Sequence, residues 1–331
     1  MSAGPGGARV LVGIPTRNRP EFVKQAILSV VGQRFERWRL IVSDNRSKPE
    51  VSADVEAFVR ELGDPRVHYY LQPVDGGEYG QGRYLFGECD EEYFVILHDD
   101  DCLEPAHLES LLGVMDADPA LAFAATGQLV VDEANEALPE RTRSYHAEQG
   151  RDRFGEGRID DVLETFLRYG GLFSITGAMF RSSAVRRNGL VDDDCGGLYP
   201  FEFNVFLRQA ESRMPAYFTP RQLVRYRLHE GAMRNYARPF FNRVMMSTMI
   251  KLLEKRRFSG WAEKRRSRLL AAVYRNYAYI LYVAGERRDC YRFLSRAVRM
   301  EPLAWNIWAY AVFAVVCPFL IRPIWGPRVT L

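Results

Sequence analysis

Cysteine is scarce in this sequence: five in 331 residues (Cys89, Cys102, Cys195, Cys290, Cys317), with no CxxC pair and no metal-finger spacing. That excludes a disulfide scaffold and a zinc finger, and an odd, scattered set fits free thiols in a reducing compartment. There is no apolar run before Val10; Met1 to Ala8 is small and Gly-rich, so a flexible lead-in is expected in place of a secretory signal. The glycine cluster Gly76-Gly77-Glu78-Tyr79-Gly80-Gln81-Gly82 lacks a GK[ST] ending, which sets it apart from the known phosphate loops. No internal repeat is visible, and no recognised nucleic-acid motif accompanies the basic residues, so nucleic acid is not an expected partner. Core-forming material is ample: 47% of residues are hydrophobic and 26% charged, enough for one large domain or two modest ones.

The formal net charge of +3 conceals an asymmetry. Between Phe240 and Glu301 there are 15 Lys/Arg against 5 Asp/Glu, so the first 239 residues are net acidic. An acidic body of residues 1–239 and a basic tail of residues 240–331 are the expected domains, with the body dividing near residue 105.

Four short apolar, β-branched runs read as buried strands: Arg9–Ile14, Arg39–Val42, Val67–Leu71 and Tyr93–Leu97. Helical spacing separates them, as in Phe22, Val23, Ala26, Ile27, Val30 and Val31, with Pro20 placed for a first turn. Alternating strands and helices imply an α/β fold, a doubly wound, mainly parallel sheet whose ligands sit at the carboxyl ends of strands. Beyond Pro105 the pattern loosens. Ala120–Val131, Ser174–Phe180 and Leu223–Leu228 read as strands, Phe203–Ala210 as a helix, and Leu138 to Arg158 as a polar, mobile excursion. From Phe240 onward only helices are expected.

Asp99-Asp100-Asp101 directly follows the fourth strand. Three adjacent carboxylates repel one another unless a cation neutralises them, and hard oxygen ligands there suit Mg²⁺ or Mn²⁺. A solvated acidic turn with one Asp as helix cap is the plain alternative. Pro15-Thr16-Arg17-Asn18-Arg19 after strand one can grip a base and phosphates, or simply turn and cap a helix. Asp44, in Ser43-Asp44-Asn45, can accept a ribose hydroxyl or a base N–H, or make an Asx-turn.

Together, V-G-I-P-T-R-N-R-P, L-I-V-S-D-N and F-V-I-L-H-D-D-D-C-L-E-P resemble the family 2 glycosyltransferases in order and separation, over about Arg9 to Arg234. The resemblance implies a GT-A fold with a helical C-terminal extension, and metal-dependent transfer of a sugar from a nucleotide-diphosphate sugar. It implies nucleotide contacts at Pro15, Thr16, Arg17, Asn18, Asp44, Arg83, Asp99 and Asp100. The metal would be held by Asp99, Asp100 and Asp101, with His229 either a metal or diphosphate contact or a structural histidine; Arg227 and Arg234 could neutralise the leaving diphosphate. Many members carry Asp where this chain has His98, which moves the metal contact toward Asp100 or Asp101. The family's base, which makes transfer inverting, falls on Glu202; flanked by Phe201 and Phe203, its carboxyl would be raised into a useful range. A helix N-terminal carboxylate is the other reading of Glu202, and Asp192, Asp193 and Asp194 are its competitors. Rival functions are a nucleotidyltransferase of similar fold and a non-catalytic, membrane-attached nucleotide-binding scaffold.

Leu303 to Ile321 is apolar apart from Asn306 and is preceded by arginine-rich segments. The run is borderline for a span, and basic residues with aromatics suit an anionic membrane surface. A helical region on the cytoplasmic leaflet of the plasma membrane is expected, or else an ordinary helical subdomain. The acceptor would then be a glycan or a lipid-linked molecule at a cytoplasmic or peripheral enzyme.

Overall fold

The computed structural model describes residues 7–169, 173–194, 200–229, 239–305 and 307–309. The chain folds as two compact units, residues 1–229 and 230–331.

In the first unit the opening runs become β1 (Val10–Thr16), β2 (Trp38–Asp44), β3 (Val67–Leu71) and β4 (Tyr93–Ile96). Helices α1 (Pro20–Val31), α2 (Pro49–Leu62) and α3 (Gly77–Gly87) link them. These four strands are parallel, in the order β3-β2-β1-β4. Val10, Val12, Ile14, Leu40, Val42 and Val95 are fully buried beneath Val23, Ala26, Ile27 and Val30 of α1. The apolar runs are continuous, not alternating, because both faces of a parallel sheet are covered.

The sheet continues through β5 (Cys102–Leu103), β6 (Phe123–Val131), β7 (Gly157–Ile159), β8 (Met179–Arg181) and β9 (Ala216–Arg227), giving nine strands among the described residues. β8 lies antiparallel between β4 and β6, β6 and β9 are parallel, and β5 and β7 both pair antiparallel with β9. The remaining helices of this unit are α4 (His107–Ala117), α5 (Pro139–Glu148), α6 (Val162–Tyr169), α7 (Ser182–Asn188) and α8 (Phe201–Glu211). The architecture is the expected α/β sheet, all parallel in its first half and mixed in its second.

Two expectations fail for identifiable reasons. Residues 138–158 are not a mobile excursion; they form α5, a 3₁₀ turn (Arg151–Arg153) and the start of β7. Their docking is polar: the Thr142 hydroxyl accepts from Val130 N at 3.0 Å, and Arg151 is buried. An apolar stripe is missing, so periodicity gave no sign of it. Nor is Ser174–Phe180 one strand. Gly177 has φ +78°, which breaks the run and leaves only Met179 and Phe180 of it in β8.

A Cβ added at Gly177 would lie 2.5 Å from Cγ2 of Val224 and 3.0 Å from Cε1 of His107. Gly177→Ala therefore combines backbone strain with overpacking, a loss of roughly 1–3 kcal/mol. Thermal denaturation should read this as a drop of several degrees in Tm.

The second unit contains α9 (Pro239–Glu254), α10 (Gly260–Val283) and α11 (Arg287–Met300). Leu252, Leu253, Leu270, Tyr274, Phe293 and Leu294 form its apolar interior. Among the described residues no helix is long and apolar enough to cross a membrane. Most of Leu303–Ile321 lies outside the described residues, as does Arg234.

Candidate active site

β1 passes to β2 on one side and neighbours β4 on the other, so the strand order reverses between β1 and β4. Crevices at such switch points are where open α/β sheets bind ligands. Register sets Thr16 beside Asp44 across the β1–β2 pair, while β4 runs directly into His98 and the three aspartates.

The turn after β1 is built for this position. Asn18 takes φ +56°, a conformation Asn tolerates better than most residues. Its side-chain oxygen accepts from Lys48 N at 2.8 Å and its own N–H donates to Ser47 Oγ at 2.8 Å, tying the β1 turn to the β2 turn. Pro20 then starts α1 at a position where no N–H is needed. Asp44 is buried and fully engaged: it accepts from Ser47 N, Ser52 Oγ and Tyr69 Oη at 2.7–2.8 Å. Asn45 beside it holds Asp75, at 2.9 Å, and the Gly76 N–H. Asp75 is exposed and pairs with Arg17; the Gly77 N–H, then Asn45 and Arg17, keep its carboxyl below the ordinary range. Sequence reasoning passed over Asp75, although Asp before Gly-Gly is itself a turn signal.

The acidic turn is buried and mostly braced. Asp99 accepts from Thr16 Oγ1 at 2.8 Å and from Arg19 at 2.9 Å. The Arg19 guanidinium reaches Asp100 as well, at 2.8 Å, and His229 Nε2 lies 3.0 Å from the same oxygen. Asp101 Oδ1 accepts from the Arg227 N–H at 2.9 Å, whereas its Oδ2, in a residue 1% exposed, has no hydrogen-bond partner within 3.5 Å among the described residues. The Thr176 hydroxyl is a weak donor toward this carboxyl, and His98 Nδ1 is 3.8 Å from Oδ2. Burial pushes Asp99 up and, reinforced by Asp100, pushes Asp101 well above the carboxylate range. Burial acts on Asp100 too, but His229, His98 and Arg19 outweigh it and bring that carboxyl to about 2.

The donor atoms of His98, Asp100 and Asp101 lie within 4.8 Å of one another. A buried carboxylate oxygen with no close hydrogen-bond partner among the described residues, beside a second carboxylate and two imidazoles, is a donor set that fits a divalent cation. His98 therefore belongs with the cluster, while the oxygens of Asp99 turn to Thr16 and Arg19.

Arg227 is placed differently from the expected diphosphate contact. It is 2% exposed, and its guanidinium donates to the carbonyls of Asp100 (2.8 Å) and Glu133 (2.8 Å) and to Gln25 Oε1 (2.8 Å). It braces the turn from behind. Arg83 sits on α3 and donates to the Asp192 carbonyl at 3.1 Å. Asp192 is itself buried against Arg208 at 3.3 Å, which makes it part of the scaffold.

Glu202 stands in the first turn of α8 and keeps partial solvent access. The ring of Phe201 beneath it fits only because position 82 is glycine, since a Cβ there would lie 2.2 Å from Phe201 Cζ. Burial by surrounding protein raises the Glu202 carboxyl to about 7, opposed by Arg151 and by the Ile175 N–H. Glu78 stands in the first turn of α3, and burial by surrounding protein, then the charge of Glu202, push its carboxyl upward. Neither Glu78 nor Arg151 was found from sequence, where one lies in a weak glycine cluster and the other in the supposed excursion.

Residues 11–182 match the family described as Glycosyl transferase family 2. Over 105 residues the chain is 30% identical to a GalNAc(5)-diNAcBac-PP-undecaprenol beta-1,3-glucosyltransferase of Campylobacter jejuni, covering 31% of the chain and 33% of that protein. The chain spans about a third of the length of the curated relatives it matches. Among solved structures, S. aureus TarS 1-349 in complex with UDP-GlcNAc superposes with TM-score 0.63 at 14% identity, over 92% of this chain and 84% of that one. Mannosyltransferase PcManGT from Pyrobaculum calidifontis, in complex with GDP-Man and Mn²⁺, gives TM-score 0.57 at 13% identity, over 97% and 88%. These likenesses identify the fold as GT-A.

Proposed function

The chain belongs to glycosyl transferase family 2, and from that premise we propose that it moves a sugar from a nucleotide-diphosphate sugar to an acceptor hydroxyl, with inversion and with Glu202 as base. Membership answers the two rivals, the nucleotidyltransferase and the non-catalytic scaffold. The observation that carries the finer reading is the acidic turn at the β1–β4 crevice, with one buried carboxylate oxygen that has no hydrogen-bond partner within 3.5 Å among the described residues.

Asp100 and Asp101, with His98 and His229 beside them, would hold Mg²⁺ or Mn²⁺. That cation supplies positive charge against the donor's diphosphate. Asp99 acts through Thr16 and Arg19, which it holds at the mouth of the crevice. Pro15 to Asn18 form the wall for the nucleoside, and exposed Asp75 is the carboxylate there with room for a base or ribose contact. Glu202 takes the proton of the acceptor hydroxyl as its oxygen bonds to the sugar's anomeric carbon and the bond to the diphosphate breaks. A thermal-shift screen of UDP-, GDP- and dTDP-sugars with and without Mn²⁺ tests the reading. One nucleotide class should stabilise the protein, and only with the metal. No shift with any class would overturn it.

A lipid-linked acceptor at an anionic membrane surface fits the second unit. Leu303, Trp305 and Trp308 are exposed (95%, 78% and 47%) just beyond α11, whose outer face carries Arg288, Arg292, Arg296 and Arg299. The Campylobacter relative is named for an undecaprenol-linked substrate. Binding to vesicles containing phosphatidylserine should fall at least about tenfold in a Trp305→Ala/Trp308→Ala double variant, since each indole buries ample apolar area. Co-sedimentation in low and high salt measures this. Equal binding by the variant, or by neutral vesicles, would remove the membrane from the reading.

A further inference from the structure

By composition α3 is a poor helix, since four of its eleven residues are glycine. Tyr79 within it is nevertheless buried. Its hydroxyl donates to the Pro200 carbonyl at 3.2 Å and lies 3.3 Å from the side-chain amide of Asn204, itself fully buried. Pro200 is the N-cap of α8, and the same carbonyl accepts from the Asn204 N–H at 3.2 Å, the bond that closes the first turn. Glu202 lies inside that turn. The Tyr79 ring meets the Phe201 ring edge-on, with centroids 5.6 Å apart and planes at 86°, and Phe201 seats on Gly82 one turn along α3. At its other end α3 is tied to the nucleoside wall. The Gly76 N–H and Gln81 Nε2 both reach Asn45 Oδ1, at 3.0 and 3.2 Å, and the Asn45 N–H donates to the Thr16 carbonyl at 2.8 Å. One short helix therefore joins the turns after β1 and β2 to the turn that bears Glu202.

We propose that Tyr79 is a positioning residue for transfer: through the Pro200 carbonyl and the Phe201 ring it fixes the first turn of α8, and with it the place of the Glu202 carboxyl. The inference rests on the reading of Glu202 as base. A base acts only within hydrogen-bond reach of the proton it takes, and a small misplacement is costly. The hydroxyl is the part of Tyr79 that phenylalanine would lack. A carbonyl oxygen has two lone pairs, and the Asn204 N–H occupies one at Pro200, so the hydroxyl fills the other without breaking the helix. Tyr79→Phe therefore removes one tether and keeps both the edge-on ring contact and the helical bond. The glycine at position 82 belongs to the same device, because it lets the Phe201 ring close on α3.

The test uses the full chain and two readouts. The first is release of UDP from UDP-GlcNAc, or of GDP from GDP-mannose, with Mn²⁺ present and water as acceptor. In Tyr79→Phe kcat should fall about tenfold or more while the KM for the donor stays in place. In a Glu202→Gln background the same change should cost nothing further, since a misplaced base and an absent one are equivalent. The second readout needs no donor: ¹³C NMR titration of protein labelled at glutamate Cδ, with the Glu202 signal assigned by its loss in Glu202→Gln. Burial holds this carboxyl high, so a loosened turn should lower its midpoint by about half a pH unit or more. Glu78 and Arg151, whose charges act on or with that carboxyl, are untouched by the substitution. The titration decides alone if neither donor is turned over. Phe201→Leu should act in the same direction, and carries the test if Tyr79→Phe does not fold. An unchanged kcat, an equal loss in the Glu202→Gln background, or a midpoint that stays in place overturns the inference about Tyr79. Wild-type release by Glu202→Gln overturns the reading of Glu202 as base instead, so the two failures are distinct.

Discussion

Glu202→Gln is expected to lower transfer by about 10²–10⁴-fold, the usual contribution of a positioned base, while leaving donor binding unchanged. Glutamine keeps the shape of the side chain above Phe201 but cannot accept a proton. In the wild-type protein the sign of the pH dependence follows from the direction of the shift. A base works in its ionised form, and this carboxyl is raised to about 7 by burial, so transfer should fall as pH drops below about 7. The variant should lack that limb. Steady-state rates from pH 5 to 9, with a donor-binding isotherm at each pH, measure both. If donor binding collapses together with turnover, Glu202 is a structural residue of α8.

Asp101→Asn should produce two effects of opposite sense. Its Oδ1 can still accept from the Arg227 N–H, while the amide nitrogen replaces the buried oxygen that has no donor. Without ligand the variant should be at least as stable as the wild type, because one of three crowded buried carboxyls is made permanently neutral. Metal-dependent donor stabilisation should vanish, and turnover should fall by about 10²–10³-fold, the equivalent of several kcal/mol of lost charge stabilisation. A less stable variant that still shows the Mn²⁺-dependent shift would mean that Asp101 is an ordinary structural carboxylate. The loss of function is set against a gain in stability, which is how strained functional groups behave.

The parallel half of the sheet could be read from sequence because burial on both faces forces continuous β-branched runs, as at Val10–Ile14 and Leu40–Val42. The acidic turn was legible for a similar reason, since three adjacent aspartates after such a run have few structural uses. What could not be read depends on contacts between distant residues. β5 is two residues long and exists only because Cys102 and Leu103 pair with Arg225 and Val224. Arg227 looked like a diphosphate ligand in its Tyr-Arg-Leu-His setting. Its role as a brace follows from carbonyls at positions 100 and 133, which one-dimensional reasoning cannot bring to it. Arg151 was hidden in a segment docked by Thr142, Tyr145 and its own guanidinium, none of which contributes to an apolar period. Asp75 precedes, and Glu78 lies within, a glycine cluster that lacks a phosphate-loop ending and so drew no attention to either.

The bracing of the acidic turn by Arg227 has a consequence for biogenesis. The two partners are 126 residues apart, so at ordinary translation speeds roughly 6 to 25 seconds separate their synthesis. Through that interval the aspartates have emerged without the strand that will seat them, and β6 lacks its parallel neighbour. The acidic turn is therefore among the last features of the first unit that the nascent polypeptide can complete, and ribosome-bound intermediates that end before Arg227 should be unable to retain a nucleotide sugar.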